Sequence, residues 1–193
     1  MDFELSDTAK EYQERLLAFM DEKVYPAEPV YAQQMIDSKD PNHHPAVLEE
    51  LKAEAKKRGL WNLFHPHKNE EWGSPGLSNL DYAPLAEITG RSPYLAPEAI
   101  NCNAPDTGNM EVLELFGTEE HKEKYLKPLL AGEMASAFCM TEPAVASSDA
   151  TNVQLSMEAD GDEYVLNGRK WFASNALHAN CKVLIVIGKT NFE

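Results

Sequence analysis

Asn152-Val153-Gln154-Leu155-Ser156-Met157-Glu158-Ala159-Asp160-Gly161 is the stretch whose reading decides the fold. Val153, Leu155 and Met157 alternate with polar Asn152, Gln154, Ser156 and Glu158, the two-residue period of a strand with one buried face. Asp160-Gly161 then accepts the positive φ of a tight hairpin turn, and Asn167-Gly168 offers a second turn of the same kind. Ala135 to Thr141, Trp171 to Ser174 and Val183 to Ile187 are further short strand candidates. Residues 133–193 are therefore expected to form a compact antiparallel sheet or β-barrel. The closing Asn191-Phe192-Glu193 lacks the marks of a finished domain, which leads to the expectation that this barrel is incomplete and the chain cut short.

Upstream of Gly132 the period changes to that of helices. Leu5, Ala9, Tyr12, Leu16 and Phe19 recur at steps of three and four, with Ser6 or Asp7 placed to cap the start. Leu48, Leu51 and Ala55 form a second stripe, which follows Pro45 and meets Gly59 where a helix end needs a left-handed residue. Asp81 is placed to cap a third helix with Pro84 in its first turn, where a missing N–H costs little. Met110, Leu113 and Phe116 mark a fourth, stopped by Gly117. Thr118, Glu119 and Glu120 open a fifth, which Pro128 kinks or divides. The expected class is α+β, with a helical bundle over 1–132 followed by the sheet domain over 133–193. Segments 65–80 and 91–109 are loops, either substrate-facing or merely connecting.

Bulk composition narrows the function classes. The chain has 193 residues, 43% hydrophobic and 25% charged, and a formal charge of -15. That charge argues against general attraction to nucleic acid or anionic lipid, and the longest apolar run, Val183 to Ile187, is too short for a transmembrane segment. Met1-Asp2-Phe3-Glu4 has neither a secretory nor a transit-peptide pattern. Cys102, Cys139 and Cys181 are widely spaced and odd in number, so a reducing compartment is the simplest reading: cytoplasm, or mitochondrion or peroxisome in a eukaryote.

Two segments carry chemistry. Phe138-Cys139-Met140-Thr141-Glu142-Pro143-Ala144-Val145-Ala146-Ser147-Ser148-Asp149-Ala150 resembles the flavin-binding signature of acyl-CoA dehydrogenases, and Asn167-Gly168-Arg169-Lys170-Trp171-Phe172-Ala173-Ser174-Asn175 resembles a second signature of the same family. Leu60-Trp61-Asn62-Leu63-Phe64 and Ala104-Pro105-Asp106-Thr107-Gly108-Asn109-Met110 resemble the branch of its tenth and eleventh human members. The resemblance implies an N-terminal helical domain, a middle β-barrel and a C-terminal four-helix domain, the last absent here. It also implies FAD as cofactor, acyl-CoA thioester as substrate, an electron-transfer flavoprotein or other acceptor as partner, and a homo-oligomer at full length. Phe138, Met140, Thr141, Phe172, Ala173 and Ser174 would border the flavin, and Ser148, with Ser147 as fallback, would lie near a phosphate of the cofactor or of the acyl-CoA substrate. The catalytic carboxylate would lie beyond Glu193, and Glu142 would be structural. The residues themselves fit a flavin, which needs hydrogen-bond donors at its ring edges and an apolar face. Two departures stand out: Ala144-Val145-Ala146-Ser147 lacks the family's glycines and is one residue longer, and Phe172 replaces a common Trp.

The remaining polar residues have plainer readings. His65 and His67 form a metal pair or sit in a loop without a third ligand, the second being favoured; no metal site is expected. His43-His44 reads as a solvated loop and Cys139 as a packing thiol rather than a nucleophile. Arg169 and Lys170 solubilise a turn or contact a phosphate. Asp106 and Asn109 line an acyl pocket, or Asp106 caps the helix that Thr107 opens, which is preferred.

Overall fold

The computed structural model describes residues 4–191. Eight α-helices lie among them, with two short strands falling between the third and fourth: α1 (Asp7–Phe19), α2 (Tyr25–Ser38), α3 (Ala46–Lys57), α4 (Asn79–Thr89), α5 (Ala96–Ala99), α6 (Asp106–Phe116), α7 (Glu119–His121) and α8 (Lys127–Ala131). Six short strands accompany them: β1 (Lys68–Asn69), β2 (Ser74–Pro75), β3 (Ala135–Cys139), β4 (Ser156–Asp160), β5 (Glu163–Asn167) and β6 (Cys181–Val186). The α+β class and the helix-before-sheet order stand as expected. None of the helices is long and apolar enough to cross a membrane.

The stripe read in α1 is its buried face, with Ala9, Leu16 and Phe19 fully covered. Ser6 rather than Asp7 caps it, accepting the Ala9 N–H at 3.0 Å. The α3 stripe is buried too, and Gly59 takes the left-handed φ of +64° just beyond it. Asp81 does not cap α4. Ser78 does, accepting the Asp81 N–H at 3.2 Å, while the Asp81 carboxylate accepts from Ser78 Oγ and Ser6 Oγ at 2.7 Å each. One acid thereby ties the starts of α1 and α4 together, and Pro84 falls in the second turn. Thr118 caps α7 as read, and the chain from there to Gly132 is divided by a π-type turn at Lys122–Leu126 before Pro128 enters α8. Phe116 departs from its stripe: the last turn of α6 carries it into solvent, while Met110 and Leu113 stay buried. The helices α2 and α5 lie where the sequence reading has no helix.

Two apolar cores result. The larger joins α1, α2, α3, α4 and α5 through Leu16, Phe19, Leu51, Leu60, Leu63, Leu85, Ile88 and Ile100. The smaller gathers Phe64, Met110, Leu113, Leu126, Leu129 and Leu130, and here Met134 and Val183 pack against the helices from the sheet side. Burying side chains of this size removes roughly 1.5–3 kcal/mol of exposure cost each.

The strands form three two-stranded pieces. The hairpin β4–β5 is antiparallel and turns at Gly161, but β4 starts only at Ser156. Val153 and Leu155, read as its buried face, are covered before the strand begins, just after a 3₁₀ turn at Ala150–Asn152. By contrast β3 pairs with β6 in parallel, where an antiparallel partner was expected. The chain returns to β3 only after the hairpin and residues 168–180, long enough to re-enter in the same direction. Past β6, Lys189 bonds the backbone of Leu155 and Met157 at 2.8 Å, linking this pair to the hairpin. Asn167-Gly168 is not a turn: a Cβ on Gly168 would sit 2.8 Å from the Leu155 Cα, so the glycine serves close backbone approach. Trp171 to Ser174, expected as a strand, is irregular, with Phe172 at φ +50°.

Candidate functional site

The two motif segments meet at a buried ion pair. Glu142 leaves β3 through Met140-Thr141 and is 5% exposed. Its carboxylate accepts from the Gln154 N–H at 2.7 Å, the Leu155 N–H at 2.9 Å and Lys170 Nζ at 2.8 Å. Burial alone would raise its pKa; Lys170 and the two N–H groups outweigh this and hold the carboxyl below the ordinary glutamate range. Lys170 Nζ also donates to the Met140 carbonyl at 2.8 Å, and the Trp171 N–H donates to the Thr141 carbonyl at 3.1 Å. The sequence reading missed this role for Lys170; a Glu and a Lys each inside a motif was the signal available.

The predicted site residues distribute around this pair. Phe138 sits on β3 with its side chain partly open, Met140 is half-buried, and Thr141 is exposed. Ser147 is buried and occupied: its Oγ accepts the Glu142 N–H at 2.7 Å and donates to the Val145 carbonyl at 3.2 Å, closing the loop. Ser148 is exposed. Val145 keeps a negative φ, so the loop without glycines carries no left-handed strain there. Phe172 is 81% exposed, its ring 4.5 Å from that of Trp171. Ala173 and Ser174 follow in a turn and line a cavity of about 330 Å³ with His43 and His178; a neighbouring one of about 330 Å³ shares Ser174 and His178 and reaches Tyr94 and Asn103.

Other polar residues fall into place. Asp106 does not cap α6. It is buried and accepts the Ser136 N–H at 2.6 Å and Ser136 Oγ at 2.5 Å, while Asn109 Nδ2 donates to Ser136 Oγ at 2.8 Å, so α6 is pinned to β3. Burial pushes the Asp106 pKa up, against the Ser136 hydrogen bonds. His65 is buried against Glu114 at 2.8 Å and shares its other nitrogen with His67, whereas His44 is no solvated loop residue: it bonds Glu49 at 2.7 Å and His178 at 3.2 Å. Among the described residues no group of three or more His, Cys, Asp or Glu is disposed to hold a metal. Cys102, Cys139 and Cys181 are free thiols, and burial pushes each pKa up, which suits packing rather than nucleophilic roles.

A helical segment, small sheets after it and two motifs tied side by side make up this α+β arrangement. The acyl-CoA dehydrogenase N-terminal domain model matches residues 6–133 and the middle domain model residues 137–192, so the chain belongs to the acyl-CoA dehydrogenase family. It is 53% identical over 192 residues to "Probable acyl-CoA dehydrogenase FadE2" of Mycobacterium tuberculosis, covering 99% of this chain and 46% of that protein. It is 50% identical over 175 residues to human acyl-CoA dehydrogenase family member 11, covering 89% of this chain and 22% of that one. Among solved structures, one from Mycobacterium abscessus, described as a candidate acyl-CoA dehydrogenase, superposes with TM-score 0.84 at 46% identity, covering 94% of this chain and 46% of that one. An acyl-CoA dehydrogenase complexed with FAD from Bacillus anthracis superposes with TM-score 0.64 at 27% identity, over 93% of this chain and 29% of that chain. The chain thus spans about half the length, or less, of the relatives it matches.

Proposed function

We propose that this chain supplies one wall of an FAD-dependent acyl-CoA dehydrogenase site, which desaturates acyl-CoA thioesters between the α and β carbons. In this reading residues 1–132 are the helical domain and 133–193 the sheet domain. The observation that carries the proposal is the Glu142–Lys170 pair, which ties the two motifs together: Lys170 bonds the Met140 carbonyl, and the Trp171 N–H bonds the Thr141 carbonyl. The residues fit a flavin. Phe172 and Trp171 offer an open aromatic face, and Thr141, Ser148 and Ser174 are exposed with no hydroxyl hydrogen bond to the described residues. Ser148 is preferred to Ser147 for a phosphate, because the Ser147 hydroxyl is committed to the loop.

Bound FAD would supply the acceptor for the hydride leaving the β carbon. The chain's own residues would hold and orient it. Glu142 is unsuited to removing the α-proton, since a carboxylate with three donors and a low pKa is a poor base. Electron-transfer flavoprotein as acceptor, assembly into a homo-oligomer and a reducing compartment belong to the same proposal, the last supported by the three free thiols. The test is titration of the chain with FAD, followed by flavin fluorescence. Saturable binding that weakens in Phe172→Ala and Ser174→Ala supports the reading, and its absence overturns it. Loss of flavin absorbance on adding a saturated acyl-CoA to the whole gene product tests the chemistry.

A second reading, a non-catalytic chain that acts by associating with partner subunits, draws on the exposed Tyr164, Val165, Leu166, Leu177 and Leu184. Light scattering with a hydrophobic dye separates the two: a monomer with little dye binding argues against association.

A further inference from the structure

The turn at residues 173–178 is fastened to the helical segment by an imidazole pair that lies outside both motifs. The Asn180 N–H donates to His178 Nδ1 at 3.1 Å, so that nitrogen must be the unprotonated one. The proton of neutral His178 therefore sits on Nε2, 3.2 Å from His44 Nδ1, and points at it. His44 Nδ1 is then an acceptor, its own proton is on Nε2, and that group donates to Glu49 at 2.7 Å. One backbone N–H thus fixes both tautomers and orients a one-way row from the turn to α3.

We propose that His178, acting through His44 and Glu49, is the positioning residue that holds Ala173 and Ser174 in place, and that gain of a proton by His178 releases this turn. The proposal rests on the flavin reading of those two residues. The row admits no extra proton without breaking. A proton on His178 Nδ1 faces the Asn180 N–H, and a proton on His44 Nδ1 faces the Nε2–H of His178. The charged groups facing His178 are His44, Glu49 and Lys52 from the α3 side and Glu98 from α5, with His43, Tyr31 and Tyr94 lining the same cavities. Lys52 is itself engaged with Glu98 at 2.6 Å and Glu49 at 3.5 Å. Burial first and then His44 lower the His178 pKa, in keeping with a neutral His178.

The test uses the full chain. Long-range ¹H–¹⁵N spectra should place the His178 proton on Nε2 at neutral pH. As pH falls below the ordinary imidazole value of about 6.5, the amides of residues 173–180 should shift together. FAD affinity should fall over the same range. His178→Phe should weaken FAD binding about tenfold at neutral pH, the loss of one hydrogen bond's net contribution. His178→Gln, which keeps a donor but cannot titrate, should restore most of that affinity and flatten the pH profile. A proton on Nδ1, or a titration of His178 that leaves those amides unmoved, overturns the proposal. So does a pH profile shared by wild type and His178→Gln. If the wild type binds no FAD at any pH, the flavin reading fails, and the spectra alone still decide whether the latch exists.

Discussion

The helical segment and the sheet segment are held together by different physics. From α1 to α8 the chain buries large apolar side chains, with Leu16, Phe19, Leu60, Leu63, Leu85 and Ile100 fully covered. Between β3 and β6 the covered apolar groups are few and small, chiefly Ala135, Ala137, Cys139, Val153 and Leu155. Order there comes from polar links instead: Asp106 to Ser136, Ser147 to Glu142, and Glu142 to Lys170, Gln154 and Leu155. Meanwhile Tyr164, Val165, Leu166, Trp171, Phe172, Leu177 and Leu184 face outward. The first segment closes a core of large apolar side chains, whereas the second is ordered chiefly by buried polar links.

The largest effect should come from the apolar side of this contrast. Phe19→Ala opens a cavity in the larger core and should cost about 3–5 kcal/mol in denaturant unfolding, because the packed surroundings relax only in part. A cost below about 1 kcal/mol would mean that the helical core is not what holds this segment.

Next comes Lys170→Met, which strands the Glu142 carboxylate. Two backbone N–H donors remain to the carboxylate, so the expected cost is about 1–3 kcal/mol, felt in the sheet segment. Glu142→Gln added to Lys170→Met should recover part of it, since the amide carries no charge to strand. Hydrogen exchange of the Gln154 and Leu155 amides is the measurement. Equal protection in wild type and Lys170→Met would break the claim that polar links order this segment.

Acid should tell two of these polar links apart. Glu142 has a folded pKa below its unfolded value, so its contribution is fully present above the ordinary glutamate value of about 4.3. That contribution is lost as pH falls through the depressed folded value. Asp106 has the opposite sign: its raised folded pKa means that deprotonation disfavours the fold, so acid relieves a cost at that link. Protection at Gln154 and Leu155 should therefore fall below about pH 4 before that of the Ser136 amide does. Simultaneous loss at both places would refute the separation.

What the sequence disclosed follows the same division. Helices α1, α3 and α6 were legible because an apolar stripe at helical spacing is a local signal, and the turn between β4 and β5 because Asp160-Gly161 is local too. Helix α2 was not: it carries Pro26 and Pro29, covers only Ala27, and is entered through a π-type turn at Met20–Val24. The parallel β3–β6 pairing depends on residues distant in sequence, which no periodicity encodes. At the candidate site the motif residues could be named, but their fastening could not. Lys170 looked like a surface cation, Asp106 like a cap and His44 like a loop residue, because each finds its partner on an element far along the chain.

The smallest effect tests the outward face. Leu166→Ser changes an exposed β5 position that pairs with Met157 across the hairpin. Little contact is lost within the chain, so stability should move by less than about 0.5 kcal/mol. Replacing an exposed leucine with serine should nevertheless lower hydrophobic-dye binding, because the outward apolar surface shrinks. Circular dichroism melting and a dye titration on one sample decide it. A loss of stability well beyond that figure would show that Leu166 is part of a core, and the sheet segment would then resemble the helical one after all.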